Sequence, residues 1–173
     1  MNTFECISAR RSVRGYEATP VEPEKIGKIV QAALYAPVGM HDYGSLRLTV
    51  VQNKDVLEDF VKLALQEIPQ MPGSPIHGAP VLIVVSTSNT SPVGYANTAC
   101  LIENMMLEAT ELGLGSLYVC GAFSLLKDNA ELIKLFSIPE GYSPVSGVAI
   151  GYCGEDLSPR SVKNDETAVN YLL

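Results

Sequence analysis

The chain has 173 residues, 47% of them apolar and 18% charged, with a formal net charge of −7. That length and composition predict one soluble, cytoplasmic domain that buries its core without disulfide staples and leaves little room for disorder. The acidic balance excludes the basic stripe that nucleic acid demands, no apolar run approaches the ~20 residues of a membrane span, and the first residues lack a secretory pattern.

Asn2 and Glu5 stand in capping-box spacing and predict a helix from about Asn2 to Arg10. At its end comes Arg10-Arg11-Ser12-Val13-Arg14, three of the chain's five arginines within five residues. Guanidiniums packed so closely repel one another unless an anion sits among them, and their forked donors match phosphate oxygens. The cluster therefore points to a phosphorylated small molecule, although a helix C-terminus also attracts cations through its dipole. Gly15 and Pro20 break the pattern, and a second helix starts at Pro23, in the favoured first-turn position. Its apolar stripe is Ile26, Ile29, Val30, Ala33 and Leu34, and Pro37 stops it.

Residues Val38 to Ser45 read as a loop, and Leu46–Val51 as a strand. A third helix follows, with Leu57, Phe60, Val61, Ala64, Leu65 and Ile68 on one face and a solvated charged face opposite. Pro69 to Gly78, rich in proline and glycine, reads as a surface loop. The run from Pro80 to Ser86 is apolar on both faces, as in a central buried strand. A long helix from about Tyr95 to Leu112 is apolar nearly all round and capped by Gly113, which suits burial in the domain or at a subunit interface. Ser116–Cys120 is a further strand, Asp128–Phe136 a helix and Val145–Tyr152 a strand. From Gly154 the tail is polar, but it ends in Tyr171-Leu172-Leu173, which suggests docking on a second subunit. Helices alternating with strands around a buried central strand predict an α+β, three-layer α/β/α sandwich with a mixed sheet. Cys6, Cys100, Cys120 and Cys153 form no Cys-x-x-Cys pair, and with only His41 and His77 beside them no metal site is expected. Cys120, with no flanking cation to lower its pKa, reads as a buried structural thiol.

Five blocks, in this order and spacing, resemble the flavin-dependent nitroreductase family across nearly the whole chain. They are Ala9–Tyr16, Ala32–Pro37, Gly78–Val85, the helix Ala99–Ala109 running into Leu112-Gly113-Leu114-Gly115-Ser116, and Ala149–Tyr152. The resemblance implies an intertwined homodimer with FMN at its interface, the arm from about residue 154 to 173 wrapping the partner. It assigns Arg10, Arg11, Ser12 and Arg14 to the phosphate and ribityl chain, and Arg160 in the tail to the phosphate as well. Pro37, Val38, Gly39, Met40 and His41 would line one side of the isoalloxazine, contributed by the partner subunit. Cys120 and Gly121 would stand where family members point a backbone N–H at flavin N5, so that no side chain need be catalytic. A glycine at 121 would let backbone approach the ring, and the flavin itself would carry the electron chemistry.

The sequence departs from the family at one place. Members commonly show Pro-Ser-x-x-Asn-x-Gln-Pro-Trp after the second helix, whereas here the stretch is Pro37-Val38-Gly39-Met40-His41-Asp42-Tyr43-Gly44-Ser45 and tryptophan is absent. His41 reads equally as a hydrogen-bonding substitute at the ring and as a surface-loop histidine. The resemblance implies an NADH- or NADPH-dependent reductase of nitroaromatics, quinones or similar small electron-poor acceptors. The eroded loop favours the alternative, a flavin store or sensor without turnover. The short Thr87–Gly94 connection argues against a flavin-destructase or dehalogenase relative, which would carry an extra lid.

Overall fold

The computed structural model describes residues 1–155 and 167–172. Ten principal elements follow one another: α1 (Thr3–Ala9), α2 (Pro23–Leu34), β1 (Leu46–Val51), α3 (Lys54–Glu67), β2 (Val81–Thr87), α4 (Pro92–Glu111), β3 (Gly115–Val119), α5 (Gly121–Leu126), α6 (Ala130–Leu135) and β4 (Ser143–Gly151). The capping box of α1 is formed at both ends: the Glu5 N–H donates to Asn2 Oδ1, and the Asn2 N–H donates to Glu5 Oε2, each at 2.9 Å. Pro23 opens α2 as expected. The long helix α4 begins three residues ahead of the expected Tyr95, because the Ser91 hydroxyl accepts the Gly94 N–H and caps it there.

The strands lie in the order β1-β2-β4-β3, and every neighbouring pair is antiparallel. The mixed sheet expected from the sequence is thus antiparallel through its named strands. Among the described residues its parallel component is one isolated bridge, Ser12 to Ser116. All seven residues of β2 are buried, since both faces of the sheet are covered. Leu82 and Val84 face a core built on α3, α5 and α6, while Val81, Ile83 and Val85 face one built on α2 and α4. In the first, Phe60, Phe123 and Phe136 pack with ring centroids 5.2, 5.3 and 6.0 Å apart. This is the three-layer α+β sandwich.

Three expectations shift. Pro69–Gly78 is not wholly superficial, because Ile76 turns in to the α3 core with 3% of its surface exposed. Leu34, assigned to the apolar stripe of α2, is exposed, as are Tyr35 and Phe4. The sequence reading also passed over α5, whose Ala122, Phe123 and Leu126 are buried on one side.

Candidate functional site

Beyond α1 the chain becomes extended, and Ser12 pairs with Ser116 of β3. The Val13 N–H donates to the Ser116 carbonyl at 3.0 Å. Extended backbone alternates its side chains, so Val13 (1% exposed) turns inward while Ser12 and Arg14 face solvent. The inward turn is possible because position 115 is glycine: a Cβ there would lie 2.8 Å from Val13 Cγ2. Arg10, Arg11, Ser12 and Arg14 together line one cleft of about 310 Å³. Arg10 Nε stands 3.6 Å from Glu103 Oε1 on α4. Arg14 donates through Nη1 to the Ser12 carbonyl at 3.4 Å, and its backbone N–H donates to Glu155 Oε1 at 2.6 Å. The Ser116 hydroxyl, in a buried residue, has no partner among the described residues. Forked cationic donors and an exposed hydroxyl in one cleft make an arrangement able to bind an anion.

β3 runs from this cleft to the other expected pair. Three residues of strand lie between Ser116 and Cys120, four steps or roughly 13 Å. Cys120 is exposed, not the buried thiol expected, because it occupies the N-cap of α5 just beyond the strand. Gly121 opens α5, and a Cβ at that position would meet nothing within 4 Å. Between the two ends stands Tyr118, half-exposed, on the same side of the strand as Ser116. Burial pushes its phenol above the ordinary value, and the neighbouring Cys120 adds to the rise. Tyr118 has no signal in the sequence beyond its place on β3, two residues before Cys120. The edge of β3 thus offers a cationic end, a half-buried phenol and an open backbone end.

Pro37, Val38, Gly39, Met40 and His41 lie elsewhere. They connect α2 to β1, the opposite edge strand, three inter-strand spacings or roughly 14 Å from β3. Val38 is buried, and a tight turn then places Met40 (φ 60°) and His41 (φ 55°) in left-handed conformations. Met40 is 93% exposed and His41 is exposed beside it. One protomer therefore gathers Arg10, Arg11, Ser12, Arg14, Cys120 and Gly121 along one strand and holds residues 37–41 at the far edge. Arg160 lies outside the described residues.

The chain matches the nitroreductase family over residues 7–152. It belongs to that family. It is 34% identical over 169 residues to a protein of Methanothermobacter thermautotrophicus provisionally named as an NADH dehydrogenase/NAD(P)H nitroreductase, the match covering 94% of this chain and 83% of the relative. Among solved structures it is similar to a nitroreductase with bound FMN from Bacteroides fragilis, with a TM-score of 0.88 at 28% identity, covering 99% of this chain and 100% of that one. A second such structure, from Desulfitobacterium hafniense, also has bound FMN and matches with a TM-score of 0.86 at 26% identity over 99% and 100% of the two chains. Within this nitroreductase fold the cleft along β3 and the turn at residues 38–41 both abut α4, the first through Glu103 and the second through Asn97. No helix among the described residues is long and apolar enough to cross a membrane.

Proposed function

We propose that this nitroreductase binds FMN along the β3 edge and works as an NAD(P)H-dependent oxidoreductase on small electron-poor acceptors such as nitroaromatics or quinones. The observation that carries the reading is the clustering of Arg10, Arg11, Ser12 and Arg14 in one cleft at the start of a strand whose other end is open at Cys120-Gly121. A phosphate dianion answers the repulsion among the guanidiniums, and Ser12 adds a hydroxyl. The open backbone at Cys120 and Gly121 accommodates the edge of a flat ring, and Tyr118 lies beside it as a neutral phenol. FMN held there would supply the two-electron, hydride-transfer chemistry between reduced nicotinamide and the acceptor. The protein's part is to anchor the phosphate, aim backbone N–H groups at the ring edge and leave one ring face open.

A homodimer completes this reading. Residues 37–41 project from the far edge of their own sheet, so they would cover a flavin held by the partner subunit. Phe4, Tyr35, Met40 and Leu172 are each at least three-quarters exposed on the single chain, an apolar surface of the kind that a second copy covers. The arm carrying Tyr171 and Leu172 would wrap that copy, with Arg160 joining the phosphate contacts.

The test is the visible spectrum of the purified protein before and after anaerobic NADH or NADPH. An oxidised-flavin spectrum that bleaches supports the reductase. A flavin spectrum indifferent to both nicotinamides favours a store or sensor without turnover, and a colourless protein that takes up no added FMN refutes the cofactor.

A further inference from the structure

Among the described residues, the turn at residues 38–41 is held by one long-range polar contact. The Gly39 N–H donates to Asn97 Oδ1 at 2.9 Å, across 58 positions of sequence. Asn97 is on the second turn of α4 and only 4% exposed. Gly39 presses against the same helix so closely that a Cβ there would come within 2.8 Å of Val93 Cγ1. Directly after this contact come Met40 and His41, both left-handed and both projecting outward. Two consecutive left-handed residues with side chains cost about 1–2 kcal/mol each, so the turn must be held from outside. The amide also serves one side only: Oδ1 must face Gly39, the donor, and buried Nδ2 is left without a partner among the described residues. Leaving such a donor unpaired is unfavourable, and the grip on Gly39 is what Asn97 gains in return.

We propose that Asn97 is a positioning residue for the flavin site, acting through Gly39 to set the left-handed turn that presents Met40 and His41 to the isoalloxazine. The assignment rests on the FMN reading above. It places ring recognition under the control of the second turn of α4, separately from the arginine cleft, which meets α4 at Glu103. The turn is preorganised, so the ring meets a surface already in place.

The experiment measures the binding of FMN and of riboflavin, which has no phosphate, by fluorescence quenching, together with amide exchange at Gly39, in full-length protein. Asn97→Leu removes the acceptor, whereas Asn97→Asp keeps an oxygen facing Gly39 and removes the unpaired donor. Asn97→Leu is expected to weaken both flavins by the same factor, at least tenfold, and to speed Gly39 exchange. Asn97→Asp is expected to hold both affinities within about threefold of wild type and to keep Gly39 protected. If Asn97→Leu fails to fold, the assignment stands or falls on Asn97→Asp: fast Gly39 exchange or weakened flavin binding in that variant overturns it. Unchanged riboflavin affinity in folded Asn97→Leu overturns the assignment alone. Wild-type protein that binds neither flavin overturns the FMN reading and this assignment with it.

Discussion

The contact between Gly115 and Val13 sets where Ser12 and Arg14 sit, and a double-mutant cycle can measure it. In Gly115→Ala the added methyl would meet Val13 Cγ2 at 2.8 Å, Cβ at 3.1 Å and Cγ1 at 3.2 Å. Valine is stiff at χ1 and Val13 is buried, so the segment must move as a unit. Overpacking of this kind costs about 1–3 kcal/mol, offset by up to about 1 kcal/mol from the reduced entropy of the unfolded chain. Val13→Ala removes two buried methyl groups, about 2 kcal/mol by transfer and cavity terms. In the double variant two of the three clashing atoms, Cγ2 and Cγ1, are gone, Cβ alone remains, and the new methyl fills part of the space. Its loss should therefore fall short of the summed single losses by at least about 1 kcal/mol. Urea unfolding at fixed protomer concentration reads the stabilities, and FMN titration reads the cleft. Gly115→Ala should weaken FMN more than riboflavin, with Val13→Ala partly restoring it. Additivity within about 0.5 kcal/mol would refute the argument that this contact seats the arginine segment.

Replacing Arg10 and Arg14 together by alanine should abolish FMN retention while riboflavin binding and the unfolding midpoint stay near wild type. Two charge-assisted contacts at about 1.5–3 kcal/mol each correspond to a loss of at least a hundredfold, and FMN retained at wild-type occupancy would remove the phosphate assignment. Phe60→Ala empties the centre of the aromatic cluster between α3, α5 and α6 and should cost about 3–5 kcal/mol in urea unfolding; a loss below 1 kcal/mol would contradict that packing. Tyr16 is partly buried against the α3 core and donates to the Ala149 carbonyl at 3.3 Å, and loss of hydration raises its phenol well above the ordinary value. The native state then keeps a proton that the unfolded chain releases near pH 10, so this contribution is full below pH 10 and lost above it. Tyr16→Phe should lower stability modestly at neutral pH and make the alkaline decline shallower, read from urea midpoints between pH 8 and 11; an unchanged alkaline slope would sink the idea.

How much could be read in advance depended on the range of the signal. β2 was evident because burial on both faces leaves an uninterrupted apolar run, and β1 because a loop precedes it and the periodic third helix follows it. The arginine cleft was equally plain, since its four residues are neighbours in sequence and a repelling cluster asks for an anion wherever the fold puts it. Strand direction was not: a helical crossover reads alike whether it joins parallel or antiparallel strands, which is why the mixed sheet expected proved antiparallel in its named strands. The six residues of α5 are too few to show helical periodicity, and its first residue is glycine. The exposure of Cys120 followed from that omission, because a residue assigned to a strand end was in fact the cap of a helix.

The hold of Asn97 on Gly39 had no local signal at all. Asparagine on a helix and glycine in a loop are each unremarkable, and only the fold makes them partners. The same holds for the larger division of the site. The arginine cleft and Cys120-Gly121 share β3, so adjacency along one strand lets them be read together. The turn carrying Met40 and His41 belongs to the opposite edge, and nothing in its composition says whose flavin it would face. Strand order supports the partner's flavin as proposed above: three inter-strand spacings, roughly 14 Å, separate β1, which the turn leads into, from β3, which leads to Cys120. In the proposed dimer the protein closes this gap with a second copy instead of a longer loop. Its active form would then require association, and dilution that separates the protomers should release flavin even with every arginine intact.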